Sequence, residues 1–211
     1  MKLFKTPQEE FWAGDFGTEY IRRNDSQELL SSNLNFFSTT LKHAGQICSC
    51  LEFGANIGMN LKALMLLYPK INVQAIEINA VAAEELAILI GSQNVFNGSI
   101  FDYTVTEKVE LSLIKGVLIH IHPGKLDTVY NKLYEASSRF ILVCEYYNPV
   151  PVSITYRGHT NRLFKRDFAG ELLDKYSDLK LIDYGFFYRR DNAFPQDDIT
   201  WFLLGKDIRV N

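Results

Sequence analysis

The chain has 211 residues, of which 47% are hydrophobic and 22% charged, and its formal net charge is −3. A chain this long buries enough apolar surface to fold as one domain without disulfides or a structural metal. Its mild acidity excludes a general polyanion binder such as a non-specific nucleic-acid protein, and 15 Phe and 11 Tyr exclude disorder.

The opening MKLFKTPQEEFW contains two acids and no apolar core, unlike a secretory signal, and no uncharged apolar run nears the ~18 residues of a membrane span. A cytoplasmic location is expected. Residues 7–30 read as helical, with Trp12, Phe16, Tyr20 and Arg23 on one face, and 33–44 as a second helix. Together residues 1–45 are expected as a helical segment ahead of an α/β domain at 46–211, the whole being one structural domain. Gln46–Phe53 is a buried strand that ends at Gly54. A helix follows over Leu61–Tyr68, a strand over Ile71–Ile78 and a helix over Ala80–Gly91. Val95–Phe101 and Val109–Gly116 are strands, Lys125–Ser137 a helix, and Arg139–Glu145 a strongly apolar strand. Asp167 caps a helix that runs to Tyr176. Leu179–Tyr188 and Ile199–Gly205 close the chain as a hairpin. This alternation predicts an α/β fold: a mostly parallel sheet with an antiparallel last strand and helices on both faces. Cys48, Cys50 and Cys144 lack metal or redox spacing and are expected as small buried hydrophobes.

The stretch Leu51-Glu52-Phe53-Gly54-Ala55-Asn56-Ile57-Gly58-Met59-Asn60 follows a strand and opens a helix. Glycines there let a ligand approach the backbone, and the N–H groups of a helix start can face it. The spacing is not the G-x-G-x-x-G of dinucleotide binders, because Asn56 stands where the second glycine would make room for a pyrophosphate. Glu77 ends the next strand, 23 residues past Gly54, where α/β nucleotide binders hold ribose hydroxyls. Asp102, after the third strand, is placed to accept from the exocyclic amine of adenine, with Ile100 or Phe101 over the ring.

These blocks resemble the Rossmann-like class I S-adenosylmethionine-dependent methyltransferases. The likeness is closer to the methylases associated with pseudaminic acid biosynthesis, through Phe11–Asn24, Leu51–Leu64, Lys115–Pro123 and Glu145–Phe168. The resemblance implies S-adenosylmethionine as cofactor, contacted by Trp12, Tyr20, Glu52, Gly54, Asn56, Gly58, Asn60, Glu77, Ile78, Ser99, Ile100, Phe101, Asp102, Lys115 and Gly116. Asn56 departs from the glycine that many members carry there.

Trp12, Phe16 and Tyr20 either cover the cofactor mouth or form the inner face of an amphipathic helix. His120 and His122 flank Ile121 after the fourth strand; no third ligand stands nearby, so no metal is expected. His120 and Tyr146 are the candidates for handling an acceptor's proton. Glu145, Tyr147 and Asn148, at a strand's carboxyl end, are candidates for orienting substrate. Between Tyr156 and Arg166 stand Arg157, His159, Arg162, Lys165 and Arg166 with no acid. Such a run suits a carboxylate or phosphate, and Arg157, His159, Arg162 and Arg166 are the predicted contacts. The expectation is methyl transfer to O or N of a small anionic acceptor: a sugar acid, an activated sugar or a peptide carboxylate. The alternatives are a non-catalytic cofactor-binding scaffold and a nicotinamide-dependent sugar-nucleotide reductase. Neither a nucleic-acid nor a membrane partner is expected, and oligomeric state is open.

Overall fold

In the computed structural model, residues 4–21 and 26–207 are described. Seven strands form one sheet: β1 (Ser49–Phe53), β2 (Asn72–Glu77), β3 (Val95–Asn97), β4 (Val109–Lys115), β5 (Ser137–Glu145), β8 (Leu179–Phe187) and β9 (Ile199–Lys206). Their order is β3-β2-β1-β4-β5-β9-β8. The first five are parallel, and β9 lies antiparallel to both β5 and β8. A separate antiparallel hairpin, β6 (Val152–Tyr156) with β7 (His159–Lys165), leaves the carboxyl edge of β5.

The strand alternation divides the core. Cys50, Leu113 and Leu142 point to one face, against α3 (Gln27–Thr40), α4 (Met59–Leu67) and α5 (Ala80–Ile90). Leu51, Ile114 and Val143 point to the other, against α6 (Leu126–Ala136) and α7 (Phe168–Lys175). Asp167 caps α7 through the N–H of Gly170, as read from the sequence. No described helix is long and apolar enough to cross a membrane.

Three expectations need correction. The N-terminal helix is two short ones, α1 (Pro7–Ala13) and α2 (Asp15–Ile21), broken at Gly14. A Cβ on Gly17 would sit 1.9 Å from the Trp12 carbonyl oxygen, so the close turn of α2 over α1 demands glycine. The third strand stops at Asn97, and Gly98–Phe101 turns away from the sheet. Cys48 precedes β1 and is exposed, whereas Cys50 and Cys144 are buried. Arg23 lies outside the described residues.

Candidate active site

A cleft of about 470 Å³ opens at the carboxyl edge of the parallel strands, roofed by α1, α2 and the start of α3. That edge is where open α/β sheets take ligands, and the volume is within the range of small-molecule sites. Its floor is the β1–α4 turn. Gly54 has φ +79° and Gly58 φ +85°, both left-handed. A Cβ on Gly54 would lie 2.6 Å from Val117 Cγ2, so this turn is doubly restricted. Asn56 adopts φ +50°, a left-handed conformation that asparagine tolerates better than most residues, so the turn closes without a glycine there. Its side-chain oxygen accepts the Ile57 N–H at 2.7 Å.

Glu77 lines the cleft at the end of β2 and is held from two sides. One carboxylate oxygen accepts the Asn56 N–H at 2.7 Å and the other the Asn79 N–H at 2.7 Å. Burial raises its pKa, and these backbone donors oppose the rise. With a further backbone donor at Ile78, the carboxylate still keeps acceptor capacity for a ligand. Asn79 caps α5, and its Nδ2 lies 3.0 Å from Thr18 Oγ1 and 3.3 Å from the Trp12 carbonyl. The strand that presents Glu77 is thereby tied to the roof.

Glu52 is fully buried, does not line the cleft, and acts through Asn60, whose Nδ2 donates to it at 2.6 Å. Burial pushes its pKa up to about 8. Lys115, at the end of β4, lines the cleft over the Phe36 ring, and burial lowers its pKa. Ile78, Ser99, Ile100, Phe101 and Gly116 line the cleft as well. Gly58 and Asp102 do not; the Asp102 carboxylate is half exposed and pairs with Lys5 at 2.5 Å.

His120, Tyr146, Trp12 and Tyr20 all line the cleft. His120 Nδ1 lies 2.6 Å from the Arg162 carbonyl oxygen. A carbonyl only accepts, so Nδ1 carries the proton and Nε2 keeps its lone pair. Burial lowers the His120 pKa to about 4, leaving the ring neutral at pH 7. Burial raises that of Tyr146 beyond the ordinary phenol range.

The substrate candidates fall elsewhere. Glu145 is buried and accepts the N–H groups of Val117 (3.0 Å), Leu118 (2.8 Å) and Ile119 (3.4 Å); it shapes the loop that carries His120. Tyr147 is exposed beside Phe202, and Asn148 bonds the Val150 carbonyl. Arg157 is exposed and lies over Tyr156, and Arg162 lies over Phe11. Arg166 pairs with Glu171 at 2.6 Å. None of these six lines the cleft; Arg157, Arg162 and Arg166 lie instead against Tyr156, Phe11 and Glu171. The His159 side chain lies outside the described residues. The cleft's lining cations are Lys115 and Arg189, against four carboxylates: Glu9, Glu28, Glu77 and Asp197. Sequence reasoning missed Gln8, Asn33, Tyr156, Arg189, Gln196 and Asp197 as lining residues. Only Tyr156 carried a usable signal, as the aromatic that opens the basic run. Among the described residues no group of three or more His, Cys, Asp or Glu could hold a metal ion.

No protein-family model matches the chain, and no curated protein matches it in sequence. Solved structures do match it. The 1,6-didemethyltoxoflavin-N1-methyltransferase of Burkholderia thailandensis, solved with 1,6-didemethyltoxoflavin and S-adenosylhomocysteine, aligns at TM-score 0.71 and 17% identity over 98% of this chain and 92% of that one. The magnesium protoporphyrin IX methyltransferase of Synechocystis aligns at 0.68 and 12% over 96% and 100%. The mitomycin 7-O-methyltransferase aligns at 0.65 and 15% over 95% of this chain, which spans 61% of that enzyme. The fold is therefore the Rossmann-like fold of the class I methyltransferases.

Proposed function

We propose that this chain is an S-adenosylmethionine-dependent methyltransferase acting on O or N of a small acceptor. The observation that carries the reading is the joint presence, in one cleft, of the Gly54–Gly58 turn and a Glu77 carboxylate pinned at the end of β2. These residues fit the cofactor: Glu77 offers lone pairs to a ribose diol, Ile78, Ile100 and Phe101 offer an apolar slot to a purine, and Asn60 and Lys115 offer donors to the amino-acid end. When bound, S-adenosylmethionine supplies a methyl group whose carbon–sulfur bond breaks as an acceptor oxygen or nitrogen bonds to the carbon, leaving S-adenosylhomocysteine. The chain's own task is positioning and proton removal. His120 Nε2 is the base in this reading: its ring is neutral at pH 7, and its other nitrogen is committed to the Arg162 carbonyl. Tyr146 is the second candidate for orienting the acceptor.

A pyrophosphate would meet the Asn56 side chain at the turn, which disfavours a nicotinamide cofactor. The anionic-acceptor expectation rested on the cations of 156–166, and a lining of four carboxylates against two cations gives an anion little welcome. The narrower likeness to methylases associated with pseudaminic acid biosynthesis rests on the four sequence blocks alone. Calorimetric titration with S-adenosylhomocysteine, and with NADH in parallel, tests the reading. Saturable binding of the first and none of the second is expected. Absence of S-adenosylhomocysteine binding overturns it, and binding without methyl transfer to any acceptor in a broad metabolite screen turns it into the scaffold alternative.

A further inference from the structure

The ring-lined part of the cleft has a chemistry of its own. Four rings run in a contiguous arc: Tyr20 to Trp12 at 5.4 Å, Trp12 to His120 at 4.7 Å, and His120 to Tyr156 at 5.1 Å between centroids. All four line the cleft. They come from three separate parts of the chain: the α1–α2 roof, the loop after β4, and the β6–β7 hairpin. Phe16 backs the arc, edge-on to Trp12 at 5.4 Å and 6.2 Å from Tyr156.

Three polar atoms accompany the rings. Gln8 is 4% exposed. Its Nε2 donates to the Asn161 carbonyl at 2.9 Å, which fixes the amide's orientation, and its Oε1 is buried with no hydrogen-bond partner among the described residues. The Trp12 Nε1–H is likewise buried and unpartnered. His120 Nε2 holds a lone pair, because Nδ1 is committed. A buried polar atom left without a partner is unfavourable, so a ligand that supplies the partner recovers that loss. Two acceptors and one donor ask for a molecule with O–H or N–H groups and at least one acceptor atom. Glu9 also lines the cleft, and its carboxylate opposes a negative charge in it.

We infer that this part of the cleft takes a flat aromatic or heteroaromatic acceptor that bears O–H or N–H and no net negative charge. The inference rests on the methyltransferase reading for what is done to that ring, but the ring site itself is defined without it. Aromatic faces hold flat rings by offset and edge-to-face contact at the centroid separations seen within the arc. Gln8 Oε1 and the Trp12 N–H set the ring's in-plane orientation, and His120 takes the proton from the O–H or N–H that is methylated.

The test uses the full chain, with and without saturating S-adenosylhomocysteine. It is titrated with a series of one- to three-ring hydroxylated or aminated heteroaromatics, lumazine and 8-hydroxyquinoline among them, and with glucuronate as the aliphatic anion. Calorimetry and tryptophan emission are read together. Saturable ring binding with quenching is expected, at least tenfold tighter than glucuronate. Trp12→Phe, which keeps a ring and loses the N–H, should weaken the best ring several-fold and leave the fold intact by circular dichroism. Trp12→Ala should weaken it tenfold or more. The inference is overturned if no ring in the series binds, if glucuronate binds more tightly than all of them, or if Trp12→Ala leaves ring affinity unchanged. Failure of S-adenosylhomocysteine to bind defeats the methyltransferase reading instead, and the titration of the unliganded protein still decides the ring site.

Discussion

The two halves of the cleft are built differently. The glycine-turn half comes from one run of chain, β1 through the turn after β3, and its contacts are backbone geometry: left-handed Gly54 and Gly58, and N–H groups gripping Glu77. The ring-lined half is assembled from α1–α2, the loop after β4 and a hairpin, joined by side-chain contacts across long separations in sequence. Local backbone geometry leaves a signature in spacing, whereas assembly across distant segments does not. The first half is therefore the part that spacing announces, and the second the part that only the folded chain brings together.

Substitutions can break or sharpen that contrast. The largest effect is expected at Gly54→Ala, which puts a Cβ 2.6 Å from Val117 Cγ2 at φ +79°. Strain and overpacking together should cost about 2–4 kcal/mol, seen as a lower melting temperature, with S-adenosylhomocysteine binding lost. A variant that binds normally would undo the account of the turn. Glu77→Ala comes next: removing the carboxylate should reduce affinity for S-adenosylhomocysteine about a hundredfold by calorimetry.

On the ring side, His120→Ala should lower kcat about a hundredfold on any accepted substrate while S-adenosylhomocysteine affinity stays within a few-fold. His120 also carries a stability signature. Its folded pKa of about 4 lies below the ordinary histidine value of 6.5, so unfolding takes up a proton between them. Stability should be intact above pH 6.5 and fall by roughly 3 kcal/mol as pH drops to 4. In the His120→Ala variant that acid limb should shrink in denaturant titrations. Glu52 works in the opposite sense. Its folded pKa, raised to about 8 from 4.5, means stability is present below pH 4.5 and is lost as pH rises towards 8. Glu52→Gln keeps an oxygen for Asn60, so it should flatten the alkaline decline and raise the melting temperature at pH 8 but not at pH 4.5. The smallest effect is expected at Arg157→Ala, an exposed side chain outside the lining. Methyl transfer and stability should stay within experimental scatter, since surface changes of this kind are usually worth less than about 0.5 kcal/mol. A clear loss of turnover would return the basic hairpin to the substrate site.

Much of the fold was legible because two periods carry it. Alternation along β1, β4 and β5 sends successive residues to opposite cores, and strands separated by helices imply parallel pairing. The glycine turn and Glu77 were legible for the same local reason. The basic run misled because composition counts charges without directions: Arg157, Arg162 and Arg166 sit on a hairpin whose partners are Tyr156, Phe11 and Glu171. Glu145 misled similarly, since an acid at a strand's carboxyl end reads alike whether it faces a ligand or the three loop N–H groups it actually accepts. Gln8 and Gln196 had no signal, because a glutamine's partner 153 or 163 residues away leaves no mark on its own neighbours.

The link from Gln8 to Asn161 has a consequence for how the molecule is made. During synthesis α1 precedes the hairpin, and its seat there does not exist until residue 161 has been added. The sheet from β1 to β5 is complete in the growing chain before that point. The seat of α1 is thus completed later than the sheet it covers, although its contacts with Asn79 and His120 are available sooner. A nascent chain halted just short of the hairpin would hold its glycine turn while Gln8 still lacked the Asn161 carbonyl.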